Sequence, residues 1–238
     1  MPRFFVDNKQ ISDGRVRITG GDARHVEVLR MNPFDEINVV DGMHVYSCRI
    51  ATVKKDEVIA DIVETKDIST EPTVKVTLFQ GIPKAAKMEI IIQKTVELGV
   101  SEIIPVITER SIPIPGENKL GRWKRISENA SKQSGRGIIP DILAPVSFEI
   151  AASMIARLDE RYAAWELEAN LSAREAFSNS IGQTIGLVIG PEGGFSNEEI
   201  ETLKRCGVKT FSLGKRILRT ETAGFAALIC LMLCRGEI

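Results

Sequence analysis

Histidine is scarce in this chain. The 238 residues contain two, His25 and His44, and neither lies near other metal-binding side chains in the sequence, so no His-based metal site is expected. The four cysteines, Cys48, Cys206, Cys230 and Cys234, form no CxxC pair and keep no regular spacing. That pattern argues against structural zinc and against a disulfide framework. The first residues, MPRFFVDNKQ, lack the apolar centre of a secretory leader. The longest apolar run, residues 223–234, is too short to span a bilayer. A cytoplasmic location with no membrane partner is therefore expected. There is no internal repeat, and the net charge of −1 speaks against a non-specific coat of nucleic acid while leaving room for a local basic patch.

What is present is an ordinary globular composition, 43% hydrophobic and 26% charged, with enough apolar material for a core without covalent staples. The charge is unevenly distributed. Residues 81–140 hold ten Lys/Arg against six Glu and no Asp, and residues 204–219 hold six cations and no acid. Residues 147–201 reverse this, with ten acids against three Arg. A single run of this kind is usually a solvated face. Two basic segments flanking a glycine-rich loop favour an anionic partner.

The rhythm of the chain changes once. Residues 1–70 read as short strands (RVRITG, EINVVDG, HVYSCRIATV, EVIADIVET) interrupted by one helical piece, DARHVEVLRM, which suggests a small β-barrel. ETKDISTEPT, ending the polar stretch at Pro72, is the expected linker. From residue 73 to 238, apolar strands (TVKVTLFQG, SEIIPVI, RYAAWEL, TIGLVIG, VKTFSLG) alternate with helical stretches, among them KAAKMEIIIQKTVELG and the basic LGRWKRISENASKQSG. Such alternation implies a parallel α/β sheet covered on both faces. After TIGLVIG, Ser196 and Glu199 fit a capping box, Phe195 and Ile200 fit its hydrophobic staple, and Gly207 closes the helix.

Two late loops carry the chemistry. In LVIGPEGGFSNEEI (187–200) a strand opens into Gly190, Gly193 and Gly194, where a ligand can approach bare backbone. The spacing is neither GxGxxG nor a P-loop, and a tight turn is an equal reading of the glycines alone. In LGKRILRTETA (213–223) three cations, Lys215, Arg216 and Arg219, run straight into an apolar helix. Arg219 stands at a helix start, where the dipole disfavours a cation, and that placement hints at function. Glu221 is a favourable first-turn acid that needs no function at all. The helix after it offers more apolar surface than one covered face requires, which points to a homodimer that a charge at Leu228 or Leu231 would weaken.

KMEIIIQKTVELGV, LVIGPEGGFSNEEI and LGKRILRTETA together resemble the three motifs of the SPOUT methyltransferases, in particular the 16S ribosomal RNA uridine-N3 methyltransferases. HVEVLRM and SKQSGRGIIP resemble the N-terminal and central segments of the same family, so the likeness covers nearly the whole chain. The resemblance implies a PUA-like RNA-binding barrel over 1–70, followed by a SPOUT domain over 73–238 with a C-terminal trefoil knot. It implies S-adenosylmethionine as cofactor, 16S rRNA or the small ribosomal subunit as partner, a homodimer and no metal. Cofactor contacts would be Glu166, Leu167, Ile189, Gly190, Gly194, Leu213, Gly214, Ile217, Leu218 and Thr220. Arg219 or Lys87 would hold the uracil anion, and Glu221 is one candidate base, with water or the partner subunit as others. Arg3, Arg24, Arg30, Arg110 and Arg136 would contact RNA. A non-catalytic RNA-binding protein, or a SPOUT enzyme acting on tRNA or on a ribose 2′-hydroxyl, are the other readings.

Overall fold

The computed structural model describes residues 1–111 and 117–238. They form two compact units, Met1–Glu71 with Ser131–Ile138, and Pro72–Ala130 with Ile139–Ile238. The first boundary falls between Glu71 and Pro72; the return of residues 131–138 to the N-terminal unit has no mark in the sequence. That return is fixed by polar contacts. Arg3 donates through Nη1 to the carbonyls of Gly135 and Arg136, and the Glu71 carboxylate accepts from the Arg136 guanidinium and from the Gly137 amide at 2.8 Å.

The N-terminal unit is built on β1 (Arg3–Phe5), β2 (Ile11–Ser12), β3 (Arg15–Thr19), β4 (Glu36–Val40), β5 (His44–Lys54) and β6 (Glu57–Asp67), with α1 (Gly20–Val28) between β3 and β4. The strands pair in the order β1-β4-β5-β6-β3-β2, parallel at β1/β4 and antiparallel elsewhere, with β1 and β2 at the two edges. Alternation writes the inner face directly: Val16 and Ile18, Ile37 and Val39, Cys48 and Ile50, Val58 and Ala60 all point into one core with Phe4, Ala23 and Val26. Two register shifts between β5 and β6, at Ser47/Cys48 and Ile50/Thr52, bend these long strands over that core.

The second unit contains β7 (Lys75–Gly81), α2 (Lys87–Glu97), β8 (Glu102–Ile107), α3 (Glu117–Ser134, whose last residues count with the other unit), β9 (Asp141–Ile142), β10 (Val146–Ser147), α4 (Phe148–Ile155), β11 (Glu160–Ala164), α5 (Ala173–Phe177), β12 (Thr184–Ile189), α6 (Asn197–Arg205), β13 (Lys209–Phe211) and α7 (Thr220–Arg235). Its sheet is wholly parallel, in the order β10-β8-β7-β12-β11-β13, with β9 beside β8. The strands are apolar throughout because both faces are covered. One core holds Met88, Ile91, Trp123, Phe177, Leu228 and Leu231, and the other holds Phe148, Ile155, Ile200 and Leu203. Among the described residues no helix is long and apolar enough to cross a membrane.

Strand order brings three late loops together. β12, β11 and β13 are neighbours, so the loops leaving their carboxyl ends emerge side by side. In parallel sheets that edge is where ligands bind.

Candidate active site

Those three loops enclose a cleft of about 450 Å³. β11 contributes Trp165 and Glu166, β12 contributes Ile189 and the loop Gly190–Phe195, and β13 contributes Ser212–Thr220. Each wall is fixed by the local sequence. The glycine loop ends in the expected capping box: Ser196 Oγ accepts from the Glu199 amide, and Glu199 Oε2 accepts from the Ser196 amide at 2.9 Å. Glu199 is buried and its other oxygen accepts from the Glu109 amide at 2.9 Å, which ties the loop after β8 to α6. Glu199→Ala strands the buried Ser196 amide, leaves the Glu109 amide without its carboxylate partner, and is expected to lower the unfolding free energy by about 1–3 kcal/mol. Urea titration at neutral pH reads this, and Glu199→Gln, which keeps an acceptor, should lose less.

Glycine is required where the walls meet. Gly194 has a φ of +66°, and a Cβ there would lie 2.5 Å from Glu166 Oε1. The floor is a polar lock. Thr220 Oγ1 donates to the Gly190 carbonyl at 2.6 Å and accepts from Gln80 Nε2 at 2.9 Å, while the same Gln80 amide donates to the Gly81 carbonyl. Gln80 and Thr220 are both buried, so the start of α7 is pinned under the glycine loop.

Most of the cofactor residues expected from sequence line this cleft: Glu166, Ile189, Gly190, Gly194, Leu213, Gly214, Ile217, Leu218 and Thr220. Leu167 does not line it and is exposed. Ile217 is on the rim, 85% exposed, rather than in an apolar wall. Thr220 offers its hydroxyl to Gly190 and so shapes the wall. The reading from sequence did not single out Trp165, Ser212 or Glu192. The first two follow from the rule that strand ends carry the ligand, once the neighbours of β11 and β13 are known.

Arg219 lines the cleft mouth, exposed, as the residue preceding α7, with φ −65° and ψ 153°. Among the described residues its guanidinium has no hydrogen bond or ion pair, and the same is true of Lys215 and Arg216. Lys87 is placed differently. Its Nζ lies 2.8 Å from Glu192 Oε1 and 3.6 Å from Glu221 Oε2. The hydrogen bond to Glu192 holds the Lys87 ammonium above the ordinary lysine range, with the charges of Glu192 and Glu221 adding to it. Burial would raise the Glu192 carboxyl, but the hydrogen bonds from Lys87 and the Lys84 amide outweigh it and hold the group below the ordinary range. Lys87 is thus paired with two acids in this structure, whereas Arg219 is not. Glu221 Oε2 is buried and accepts no hydrogen bond.

The five arginines expected to touch RNA separate as well. Arg24 and Arg30 are exposed. Arg3 and Arg136 are engaged inside the N-terminal unit, Arg136 buried against Glu71. Arg110 Nη1 donates to the Gly193 carbonyl at 2.8 Å, bracing the glycine loop. Among the described residues no group of three or more His, Cys, Asp or Glu could hold a metal ion.

The fit to S-adenosylmethionine can be judged from this cleft. Bare backbone at Gly190, Gly193 and Gly194, with Ile189, Leu213 and Leu218 beside it, suits a flat purine held by main-chain groups. The acidic Glu166 suits a cationic end. The family described as RNA methyltransferase domain matches residues 70–232. The chain is 35% identical to ribosomal RNA small subunit methyltransferase E of Bacillus subtilis, over 96% of this chain and 94% of that protein. A crystal structure of a ribosomal RNA small subunit methyltransferase E from Neisseria gonorrhoeae bound to S-adenosyl methionine superposes with a TM-score of 0.90 at 32% identity, covering 98% of this chain and 97% of that one. A Legionella pneumophila methyltransferase in complex with SAM superposes at 0.87 and 31% identity, covering 97% and 96%.

Proposed function

From the premise that the chain belongs to the RNA methyltransferase family, as a relative of ribosomal RNA small subunit methyltransferase E, we infer an enzyme that methylates 16S rRNA with S-adenosylmethionine as donor. The observation that carries this is the cleft at the ends of β11, β12 and β13, glycine-walled and with unpaired cations at its mouth.

We propose further that the acceptor is N3 of a uridine. That nitrogen is a poor nucleophile while protonated, so the enzyme must remove a proton and stabilise charge spreading to O2 and O4. Bound in the cleft, S-adenosylmethionine supplies a methyl group on a sulfonium that departs as a neutral thioether. Arg219 holds the developing anion, which its exposed and unpartnered guanidinium supports. Glu221 takes the proton through its buried Oε2, which accepts no hydrogen bond and lies 3.6 Å from Lys87 Nζ. The cofactor contacts are Glu166, Ile189, Gly190, Gly194, Leu213, Gly214, Leu218 and Thr220, with alignment of donor and acceptor supplying much of the rate. Methylation of isolated small ribosomal subunits, followed by nucleoside mass spectrometry, tests this. N3-methyluridine is the expected product; a 2′-O-methyl nucleoside or a product on tRNA would overturn it.

The finer architecture is proposed on the same footing. The N-terminal sheet, bent at its bulges, is a PUA-like RNA-binding barrel over residues 1–70, and residues 73–238 are a SPOUT domain. The burial of Thr220 beneath Gly190 supports a knot in which α7 enters behind the loop that precedes it. The working form is a homodimer through α7, in the cytoplasm. Leu228 and Leu231 are core residues of their own chain, 1% and 0% exposed, so a charge there would unfold the protein instead of splitting a dimer. The face left over includes Phe225, Ala226, Ile229 and Leu233, the last 58% exposed. Leu233→Glu is therefore the proper test: light scattering should show a shift from dimer to monomer with the melting temperature of the monomer fold kept.

A further inference from the structure

The N-terminal unit holds an aromatic side chain where physical chemistry disfavours one. Phe34 has a φ of +79° and is 81% exposed. A bulky residue in the left-handed region is a genuine outlier, and glycine would occupy it without cost. Exposure of the ring brings no compensation from this chain's own core. Phe34 is thus strained in its backbone and unburied in its side chain at once.

The loop around it is held firmly. The Phe34 amide donates to the Ile50 carbonyl at 2.8 Å, and the Ile50 amide donates to the Asp35 carbonyl at 2.9 Å. Asp35 Oδ2 accepts from the Asn32 amide at 2.8 Å, and Asn32 Nδ2 donates to the Arg30 carbonyl at 3.2 Å. Arg30, at the end of α1, is itself left-handed with φ +55°. Val28 and Leu29 are exposed within the same short stretch, 75% and 43%. Arg24 and Arg30 are exposed too; Arg24 Nε reaches only the Gly20 carbonyl of its own helix at 3.5 Å, and neither guanidinium has an ion pair among the described residues.

We propose that Phe34 is a stacking platform for an unpaired nucleobase of the rRNA substrate, with Arg24 and Arg30 holding the adjoining phosphates. This rests on the proposed rRNA methyltransferase function and adds to it the class of RNA feature engaged: a single-stranded or bulged nucleotide. An exposed aromatic ring and exposed cations carried on one short stretch of chain are the groups with which proteins take splayed-out RNA bases. A ring fixed on a hydrogen-bonded loop loses little freedom on binding. Cations with no ion pair among the described residues favour a nucleic acid over an apolar protein partner, which would leave them desolvated.

The test uses the full-length protein with small ribosomal subunits and with a short single-stranded RNA carrying 2-aminopurine. Phe34→Ala should weaken binding to both by about 5- to 150-fold, the range of one lost aromatic–base stack, and abolish the quenching of 2-aminopurine. Phe34→Trp should keep both. Phe34→Gly should bind as poorly as Phe34→Ala yet melt about 2–4 °C higher, because only glycine relieves the backbone. Arg30→Gln should reduce the salt dependence of binding, whereas Phe34→Ala should leave it unchanged. If Phe34→Ala binds and methylates subunits like the wild type, the platform is refuted while the enzyme stands. The platform is equally refuted if Phe34→Ala abolishes binding to another protein but leaves RNA affinity intact. If the wild-type protein itself transfers no methyl group to subunits, it is the family function that fails.

Discussion

Arg219→Ala is expected to slow single-turnover methylation by about 100-fold or more at saturating RNA and cofactor, the scale of a lost preorganised donor to a developing oxyanion. The guanidinium stands at the cleft mouth, exposed, with no partner among the described residues. Its removal therefore disrupts no internal contact, and the melting temperature should not move. Affinity for S-adenosylmethionine, measured by calorimetry, should change little, because the cleft offers main-chain groups to the purine. Arg219→Lys should recover only part of the rate, since a point charge does not reproduce the planar fork. A surface arginine serving only RNA affinity behaves otherwise: the rate at saturation stays intact and the apparent affinity falls. That outcome would remove Arg219 from the chemistry and leave Glu221 and Lys87 to be tested.

The second large effect is expected from a residue that touches no ligand. Gly81, at the end of β7, lies so close to the glycine loop that a Cβ would meet the nitrogen and Cδ of Pro191 at 2.6 Å and the carbonyl carbon of Gly190 at 3.0 Å. Two of these three neighbours are backbone atoms and the third is a proline ring carbon, so none can swing aside. Gly81→Ala must push the loop away from the sheet by a distance on the order of an ångström. A shift of that size away from the reacting atoms is enough to cost about 100-fold in rate, and the overpacking should cost about 1–3 kcal/mol of stability. Gly121→Ala is the control, because a Cβ there meets nothing within 4 Å and the position is inside α3. It should leave the rate unchanged and stabilise slightly. Equal behaviour of the two variants would show that β7 and the loop do not need their close approach.

The sequence alone determined the local grammar of this protein. Alternation in RVRITG and EINVVDG placed their inner faces, helical spacing placed Met88, Ile91, Ile92, Thr95 and Val96 in the core, and Ser196 with Glu199 fixed where α6 begins. These depend on residues a few positions apart, whose geometry follows from the repeat of a strand or a helix. The two loops that matter were legible for the same reason: glycines after an apolar strand and cations before an apolar helix are local patterns. Only the tertiary structure decided what those patterns are joined to. No spacing reveals that β11 lies between β12 and β13, so Trp165 had no reason to be singled out. Nor does spacing reveal that Glu192 takes the charge of Lys87, 105 positions away, or that Arg136 is buried on Glu71. An exposed arginine and a buried one read alike in sequence, because the acid that claims it comes from another part of the chain. Pairing across the sheet and burial in the core, both set by chain return, decide which charges remain free to meet a substrate.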